Sequence, residues 1–92
     1  MSEPWDPRKA EANLRKHGVG FPEAMTVERD PRLLMTEDLP HSLGEQRWIL
    51  VGISGHGTLL CVTCTYRHGR MRPISARRAT KRERNDYLRG TR

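Results

Sequence analysis

Apolar residues recur at helical spacing near the start of the chain, and this pattern predicts a first helix. Asp6 is placed as its N-cap and Pro7 as its first residue, where the missing proline N–H costs no hydrogen bond. Gly18 ends the helix, because glycine readily adopts the left-handed conformation common after helices. Charged residues fill most of the surface, so only a narrow stripe is left to face the core: Ala10, Leu14 and His17.

The next segment combines a short helix with a strand and a polar loop. Apolar spacing from Phe21 to about Glu28 predicts a second helix, and Asp30-Pro31 ends it, because the residue before a proline avoids the helical conformation. Arg32–Thr36 is a candidate strand, and the polar segment Glu37–Gly44 that follows is interpreted as a loop.

The middle of the chain is apolar on both alternating sides, which is typical of central strands covered on each face. Glycine-containing turns divide this region into an antiparallel meander. The predicted strands are Gln46–Ser54, Thr58–Tyr66 and Arg70–Ser75, with turns at 55–57 and 67–69. Pro73 has no amide hydrogen to donate, so the last strand is expected to lie at a sheet edge or to carry a bulge.

The last predicted element is a C-terminal helix. Thr80 and Glu83 have the spacing of a capping box, in which each side chain accepts a hydrogen bond from the other residue's backbone N–H. The helix runs to about Arg89, and it has few apolar residues to bury: Ala79, Tyr87 and Leu88. The whole pattern predicts an α+β fold with two N-terminal helices, a small antiparallel meander of three to four strands and a C-terminal helix.

Composition and charge narrow the class of protein. The 92 residues suffice for one domain, spanning 1–92, and with 35% hydrophobic residues its core must be thin, so oligomerisation is expected. The net charge is +6: Tyr66–Arg92 contains ten Lys or Arg and two acids, whereas Met1–Thr65 contains seven and nine. RNA, DNA or an acidic protein is therefore the expected partner, with a merely solvated basic face as the alternative.

Cys61 and Cys64 have the C-x-x-C spacing of some zinc and redox sites. They lie in an apolar run interpreted as a strand, which places them on opposite faces, so buried and reduced cysteines are expected. No metal or cofactor is predicted. No segment approaches the roughly 18 apolar residues of a membrane span, and the N-terminus lacks the core of a signal peptide. We therefore expect a cytoplasmic protein without membrane contact.

Three groups of residues form a recognisable series of motifs along the chain. The first group is Trp5-Asp6-Pro7, Asn13-Leu14-Arg15-Lys16-His17-Gly18-Val19, Phe21 and Glu23-Ala24. The second is Asp30-Pro31, Asp38, His41-Ser42, Gly44-Glu45-Gln46-Arg47, Gly52 and Ser54. The third is Arg72, Ile74-Ser75-Ala76-Arg77, Ala79-Thr80, Glu83-Arg84 and Tyr87. In this order and spacing, over nearly the whole chain, they resemble the BrnT family of bacterial toxins.

The resemblance implies a RelE-like fold and a ribonuclease toxin of a type II toxin-antitoxin system, which slows growth by cutting RNA and so inhibiting translation. It also implies a BrnA-type antitoxin that holds the toxin inactive. The expected assembly is a toxin homodimer within a heterotetramer, in which the antitoxin supplies the DNA-binding domain that represses the operon.

Metal-independent RNA cleavage needs a base for the 2′-hydroxyl, positive charge on the phosphorane-like transition state and an acid for the leaving 5′-oxygen. Arg72 and Arg77 are interpreted as the groups that hold the scissile phosphate, because guanidinium groups grip phosphate oxygens in pairs; ordinary edge-strand charges are the alternative. Glu45 and Arg47, at spacing two, face the same side as a base beside a phosphate clamp or as a structural ion pair.

The remaining candidates have both functional and structural interpretations. Tyr87 could stack on a base or protonate the leaving oxygen, or could anchor its helix. His17 and His41 could act as acids or bases, although His17 lies on the apolar stripe and fits a packing role. Glu83 is explained by the capping box. The predicted RNA-binding residues are Arg70, Arg78, Lys81, Arg82 and Arg84.

Two other classes of protein fit the same residues. A nucleic-acid-binding module without catalysis would use the basic end together with Tyr66 and Tyr87. An interaction protein would use the basic helix only to dock an acidic partner. A metal-dependent nuclease is less attractive, because the sequence has no tight cluster of carboxylates.

Overall fold

The computed structural model describes residues 4–90 as an α+β fold built on one four-stranded sheet. The strands are all antiparallel and lie in the order β1-β2-β3-β4. The helices are α1 (Pro7–His17), α2 (Phe21–Met25) and α3 (Lys81–Arg89), and the strands are β1 (Leu34–Glu37), β2 (Trp48–Ile53), β3 (Leu59–Arg67) and β4 (Arg70–Arg78). The predicted meander, with its two glycine-containing turns, is confirmed, and β4 continues three residues beyond the predicted Ser75.

Helix α1 begins and ends as its local signals predict. The Asp6 carboxylate accepts a hydrogen bond from the Arg8 N–H at 2.9 Å, and Gly18 adopts the left-handed conformation with φ of 72°. The expected apolar stripe is wrong at one position, because the Leu14 side chain is 54% exposed. Asn13 is the buried residue of α1 instead, since its amide forms hydrogen bonds with the backbone of β4.

The second helix is shorter than predicted. The α-helical turns end at Met25, and Thr26–Arg29 continues as a 3-10 helix. The Thr26 hydroxyl donates to the Glu23 carbonyl at 2.6 Å, a side-chain bond that competes with regular helix pairing. A further 3-10 helix, Leu39–His41, lies within the segment predicted as a polar loop.

The sheet has two faces with separate apolar clusters. The inner face packs under α2 and the first 3-10 helix, and its fully buried residues include Leu50, Leu60, Val62, Cys64 and Ala76. The outer face packs under α3 through Val51, Leu59, Cys61 and Tyr87. The predicted placement of the two cysteines on opposite faces is confirmed. Both thiols are free and buried, and burial raises the pKa of Cys61 to about 11 and that of Cys64 to about 12.

Strand β4 is an edge strand and also carries a bulge, so both consequences predicted from Pro73 are found. Thr63 pairs with Ser75 and Cys64 pairs with Pro73, which leaves Ile74 as an extra residue. Arg72 and Arg77 are five residues apart, a spacing that would put them on opposite faces of a regular strand. The bulge places both on the outer face, opposite Thr65 and Cys61 respectively.

Helix α3 begins with the predicted capping box. The Thr80 hydroxyl accepts from the Glu83 N–H at 3.2 Å, and the Glu83 carboxylate accepts from the Thr80 N–H at 2.8 Å. Tyr87 is the buried residue of this helix, and the rest of its surface is largely charged. Across residues 4–90, every helix is too short or too polar to cross a bilayer.

Candidate functional site

One end of the outer face forms a pocket rich in arginine. Arg72 of β4 lies opposite Thr65 of β3, and Arg47 directly precedes β2. They line a cavity of about 260 Å³, hereafter the basic pocket. Its other polar lining residues are Asp6, Lys9, Glu45 and Arg67. The pocket therefore joins the start of α1 to three strands.

Positive charge dominates the basic pocket. Four cationic side chains line it against two carboxylates, and one of those carboxylates is already paired: Arg67 grips Glu45 through Nε at 2.9 Å and Nη2 at 3.1 Å. Among residues 4–90, no ion pair involves Lys9, Arg47 or Arg72. These three cations are available to an anion, and two of them have the fork geometry that matches phosphate.

Glu45 is held ionised in this setting. The hydrogen bond from Arg67 is the main cause that lowers its pKa below the ordinary value, with smaller contributions from Thr65 and Arg72. The Thr65 hydroxyl is buried and donates to the Gln46 carbonyl at 2.8 Å, which ties the segment carrying Glu45 to β3. A carboxylate fixed beside unpaired guanidinium groups can accept a proton next to a bound phosphate.

Arg77 lies at the other end of the outer face, and its side chain is already paired with an acidic residue. Its guanidinium binds the Glu83 carboxylate through two hydrogen bonds of 2.8 and 2.9 Å. This pairing lowers the pKa of Glu83 to about 2, and the hydrogen bond from Arg77 is the largest cause. At about 3.3 Å per residue, the four-residue offset between their β3 partners puts Arg77 roughly 13 Å from Arg72 along the sheet. The structure does not bring the two arginines into one clamp.

Tyr87 also lies outside the basic pocket. The residue is 5% exposed on the buried side of α3, and its hydroxyl donates to Asp30 Oδ2 at 2.6 Å. Burial raises the pKa of Tyr87, and the bond to Asp30 raises it further. Asp30 also accepts from the backbone N–H groups of Arg32 and Ile53, so one carboxylate joins α3 to β2. This geometry corresponds to the anchoring interpretation of Tyr87.

The predicted RNA-binding residues lie on the surface at both ends of the sheet. Arg70 is opposite Arg67 at the end with the basic pocket, and Arg78 is at the other end of β4. The others lie on α3 or at its start, and all five side chains are exposed: Arg70, Arg78, Lys81, Arg82 and Arg84.

The comparison with protein families decides the identity. A family model described as "Ribonuclease toxin, BrnT, of type II toxin-antitoxin system" matches residues 5–83. The chain belongs to the BrnT family. The matched range contains the complete sheet, every residue of the basic pocket and Glu83. A comparison with curated proteins gave no match. The resemblance found from the sequence motifs is confirmed, and with it an antitoxin partner and an RNA target are implied.

Some pocket residues of this BrnT toxin were not among the candidates from sequence. Lys9 is one of the charged residues that fill the surface predicted for the first helix. Arg67 falls in the predicted turn 67–69, whereas in the structure it is the last residue of β3. Spacing two from Thr65 to Arg67 places both on one face, which is the signal that was available. No histidine lines the basic pocket in the described part of the chain. His17 lies at the end of α1, and His41 pairs with Asp38 at 3.0 Å.

Within residues 4–90, no group of three or more His, Cys, Asp or Glu side chains is arranged to hold a metal ion. The Glu45 carboxylate has arginines as its neighbours. The chemistry that the basic pocket offers is therefore that of four cationic groups beside the carboxylates of Asp6 and Glu45.

Proposed function

We propose that this BrnT toxin is a metal-independent endoribonuclease whose reaction centre is the basic pocket. The observation that carries the proposal is a row of three residues that line one cavity, Arg47, Thr65 and Arg72, with the ionised Glu45 beside it. A phosphate bound to this row lies within a cluster of cations and next to a carboxylate, the two kinds of group that cleavage by a neighbouring 2′-hydroxyl requires.

Arg47 and Arg72 bind the scissile phosphate in this proposal. Both side chains are half-buried, which lowers their exposure to competing water and strengthens their interaction with an anion. As the 2′-oxygen attacks phosphorus, negative charge accumulates on the nonbridging oxygens, and the two guanidinium groups stabilise it. Removal of one such donor typically slows an enzyme by about 10² to 10³-fold.

Glu45 accepts the proton of the 2′-hydroxyl. The O2′–P bond forms and the P–O5′ bond breaks, which leaves a 2′,3′-cyclic phosphate on one product and a 5′-hydroxyl on the other. Arg67 acts as a positioning residue, because its two hydrogen bonds fix the carboxylate. Lys9 lines the same cavity and is the proposed donor of a proton to the leaving 5′-oxygen. In this proposal Arg77 and Tyr87 hold α3 against the sheet and take no part in the reaction.

The exposed cations extend the binding surface for RNA beyond the pocket. Arg70 continues the pocket along the edge of the sheet, and the basic residues at the other end surround the start of α3: Arg78, Lys81, Arg82 and Arg84. Contacts of this kind bind phosphates without reading sequence, so RNA binding should weaken steeply as salt increases.

The family also guides the proposal about assembly. A BrnA-type antitoxin neutralises the toxin, and two toxins join two antitoxins in a cytoplasmic heterotetramer. The fold is RelE-like in this proposal, because an antiparallel sheet carries the reaction centre and a C-terminal helix covers part of one face. The high positive charge of the free toxin supports an acidic partner that binds it.

The test is cleavage of RNA by the purified toxin in the presence of EDTA, with analysis of product ends. We expect 2′,3′-cyclic phosphate and 5′-hydroxyl ends, and a loss of about 10²-fold for Glu45→Gln. Glu11→Gln, an exposed change of the same kind on α1, should cleave at the wild-type rate. Intact RNA with the folded wild-type toxin would assign the pocket to RNA binding alone. A requirement for a divalent ion would contradict the proposed chemistry.

A further inference from the structure

The two edges of the sheet are treated differently. At the β4 edge, the Asn13 side chain accepts from the Ala76 N–H at 2.9 Å and donates to the Ala76 carbonyl at 2.8 Å. Helix α1 therefore already occupies backbone groups of the β4 edge that an added strand would need for pairing. At the β1 edge, β1 pairs with β2 alone among the described strands. Exposed strand edges readily pair with another polypeptide.

The hydrogen bonds of β1 show which of its backbone groups are free. The Asp38 N–H donates to the Arg47 carbonyl at 2.8 Å, one step beyond the pair Glu37–Trp48. Antiparallel strands alternate between hydrogen-bonded and non-hydrogen-bonded pairs. The N–H and C=O groups of Met35 and Glu37 therefore point away from the sheet. Two donors and two acceptors in strand geometry suit a peptide backbone and not a nucleic acid.

A groove lies directly along this edge. It has a volume of about 360 Å³, and its lining includes Leu34, Met35 and Thr36 of β1 together with Tyr87 and Gly90 from the end of α3. Met35 is 46% exposed, so an apolar surface accompanies the free backbone groups. Side chains of an added strand would alternate between the groove and the inner side of β1.

The charge beside the groove indicates the kind of strand that fits. Arg32 lines it, with its guanidinium 5.7 Å from the centre of the Tyr87 ring. In the part of the chain that the structure describes, Arg32 takes part in no ion pair. A second copy of the toxin would bring another net charge of +6, which opposes self-pairing. An acidic segment satisfies Arg32 and is attracted by the chain as a whole.

We propose that the β1 edge is the docking site for an extended acidic segment of the antitoxin, which adds to the sheet as a fifth strand beside β1. The proposal rests on the antitoxin partner of the proposed function, and it is independent of the reaction centre. Backbone pairing supplies the affinity, and Arg32 selects an acidic side chain. The segment is short, because only Met35 and Glu37 offer outward backbone groups.

The experiment measures the affinity of the protein encoded by the neighbouring gene for four toxin variants. Met35→Pro removes an N–H that β2 does not use and should weaken binding at least tenfold, whereas Met35→Ala keeps that N–H and should change it less than threefold. Arg32→Glu should weaken binding about tenfold. Arg8→Glu makes the same charge change on exposed α1 and should change binding less than threefold.

Hydrogen exchange on the wild-type complex gives a second measurement that does not depend on the folding of Met35→Pro. We expect the amides of Met35 and Glu37 to gain protection when the partner binds. Unchanged exchange at both amides would overturn the proposal, as would a folded Met35→Pro that binds as well as Met35→Ala. A toxin dimer that Met35→Pro converts to monomers would assign the edge to a second copy. Failure of the partner to bind the wild-type toxin overturns the docking site as well.

RNA cleavage separates this proposal from the proposed function. Met35 lies outside the basic pocket, so free Met35→Pro toxin should cleave RNA at the wild-type rate. A toxin that binds its partner through β1 but leaves RNA intact would retain the docking site and reject the ribonuclease chemistry. Cleavage without an effect of the β1 variants on partner affinity would give the opposite result.

Discussion

Each end of the outer face carries an arginine, but the two arginines have different neighbours. Arg72 and Arg77 lie on one strand and one face, and each is half-buried. Arg77 meets Glu83 of α3 through two hydrogen bonds, whereas Arg72 shares a cavity with other cations. An arginine with an acidic neighbour has a structural role, whereas an arginine without one can bind an anion. The presence of the acidic neighbour therefore decides the role of each position. In the proposed function, α3 covers one end of the sheet and the other end is left for substrate.

The largest effect on cleavage should come from removing a cation at the end of the outer face that holds the basic pocket, hereafter the open end. Arg47→Ala should lower kcat/KM for RNA by about 10²-fold, or about 2.7 kcal/mol, because one of two donors to the transition state is lost. Its Tm should change little, since Arg47 makes no ion pair within residues 4–90. Steady-state kinetics and thermal melts measure both. Arg15→Ala, which removes an exposed arginine of α1 far from any proposed role, is the matched control and should retain most activity.

At the other end, hereafter the closed end, α3 covers the sheet, and a substitution there should change the stability of the fold and not the rate of cleavage. Arg77→Ala should lower the free energy of unfolding by about 1–2 kcal/mol, because Glu83 loses two charge-assisted bonds at a site still partly open to water. Cleavage by the folded variant should stay within about threefold of wild type. Urea unfolding followed by circular dichroism measures the change. An unaltered midpoint would mean that the Arg77–Glu83 pair does not hold α3.

A smaller loss is expected from the second anchor of α3. Tyr87→Phe keeps the buried ring but removes the hydroxyl that donates to Asp30, which retains its two backbone donors. The expected cost is about 0.5–1.5 kcal/mol of unfolding free energy, again without loss of cleavage. Chemical unfolding at neutral pH is the measurement. A loss of turnover that exceeds the loss of folded protein would place Tyr87 in the reaction instead.

The smallest effect is expected in the pH dependence of stability, which reports on Glu83 at the closed end. In the folded state the pKa of Glu83 is about 2, against 4.5 for the ordinary carboxyl. A lowered folded-state pKa contributes stability above the unfolded value, and this contribution is lost as pH falls from about 4.5 towards 2. The stability difference between wild type and Glu83→Gln should therefore be constant near neutral pH and shrink below about 4.5. A difference that persists down to pH 2 would contradict the assignment.

The features that could be predicted from the sequence are those set by neighbouring residues. Asp6, Gly18 and the Thr80–Glu83 box fix helix ends through local hydrogen bonds, and each was found where expected. Pro73 likewise carries its own signal, a missing N–H, and it lies beside the bulge. Such devices require no knowledge of the tertiary structure.

The composition of the candidate site depended on distant residues and could be predicted only in part. Glu45, Arg47 and Arg72 were chosen from sequence and do meet in one cavity. Arg77 was assigned to the same clamp, because no local pattern shows that Glu83 folds back onto it from α3. Asn13 replaced Leu14 in the interior for a similar reason, since two of its hydrogen bonds join Ala76 of β4, 63 residues away. Hydrophobic periodicity does not register a polar residue that is buried by hydrogen bonding.

The most direct test of the proposed site compares single-turnover cleavage of one RNA by Arg72→Ala and Arg77→Ala, each normalised to its folded fraction. We expect Arg72→Ala to lose about 10² to 10³-fold in rate while Arg77→Ala stays near wild type. Equal losses in the two folded variants would contradict it, because they would mean that both ends of the outer face act on the same phosphate.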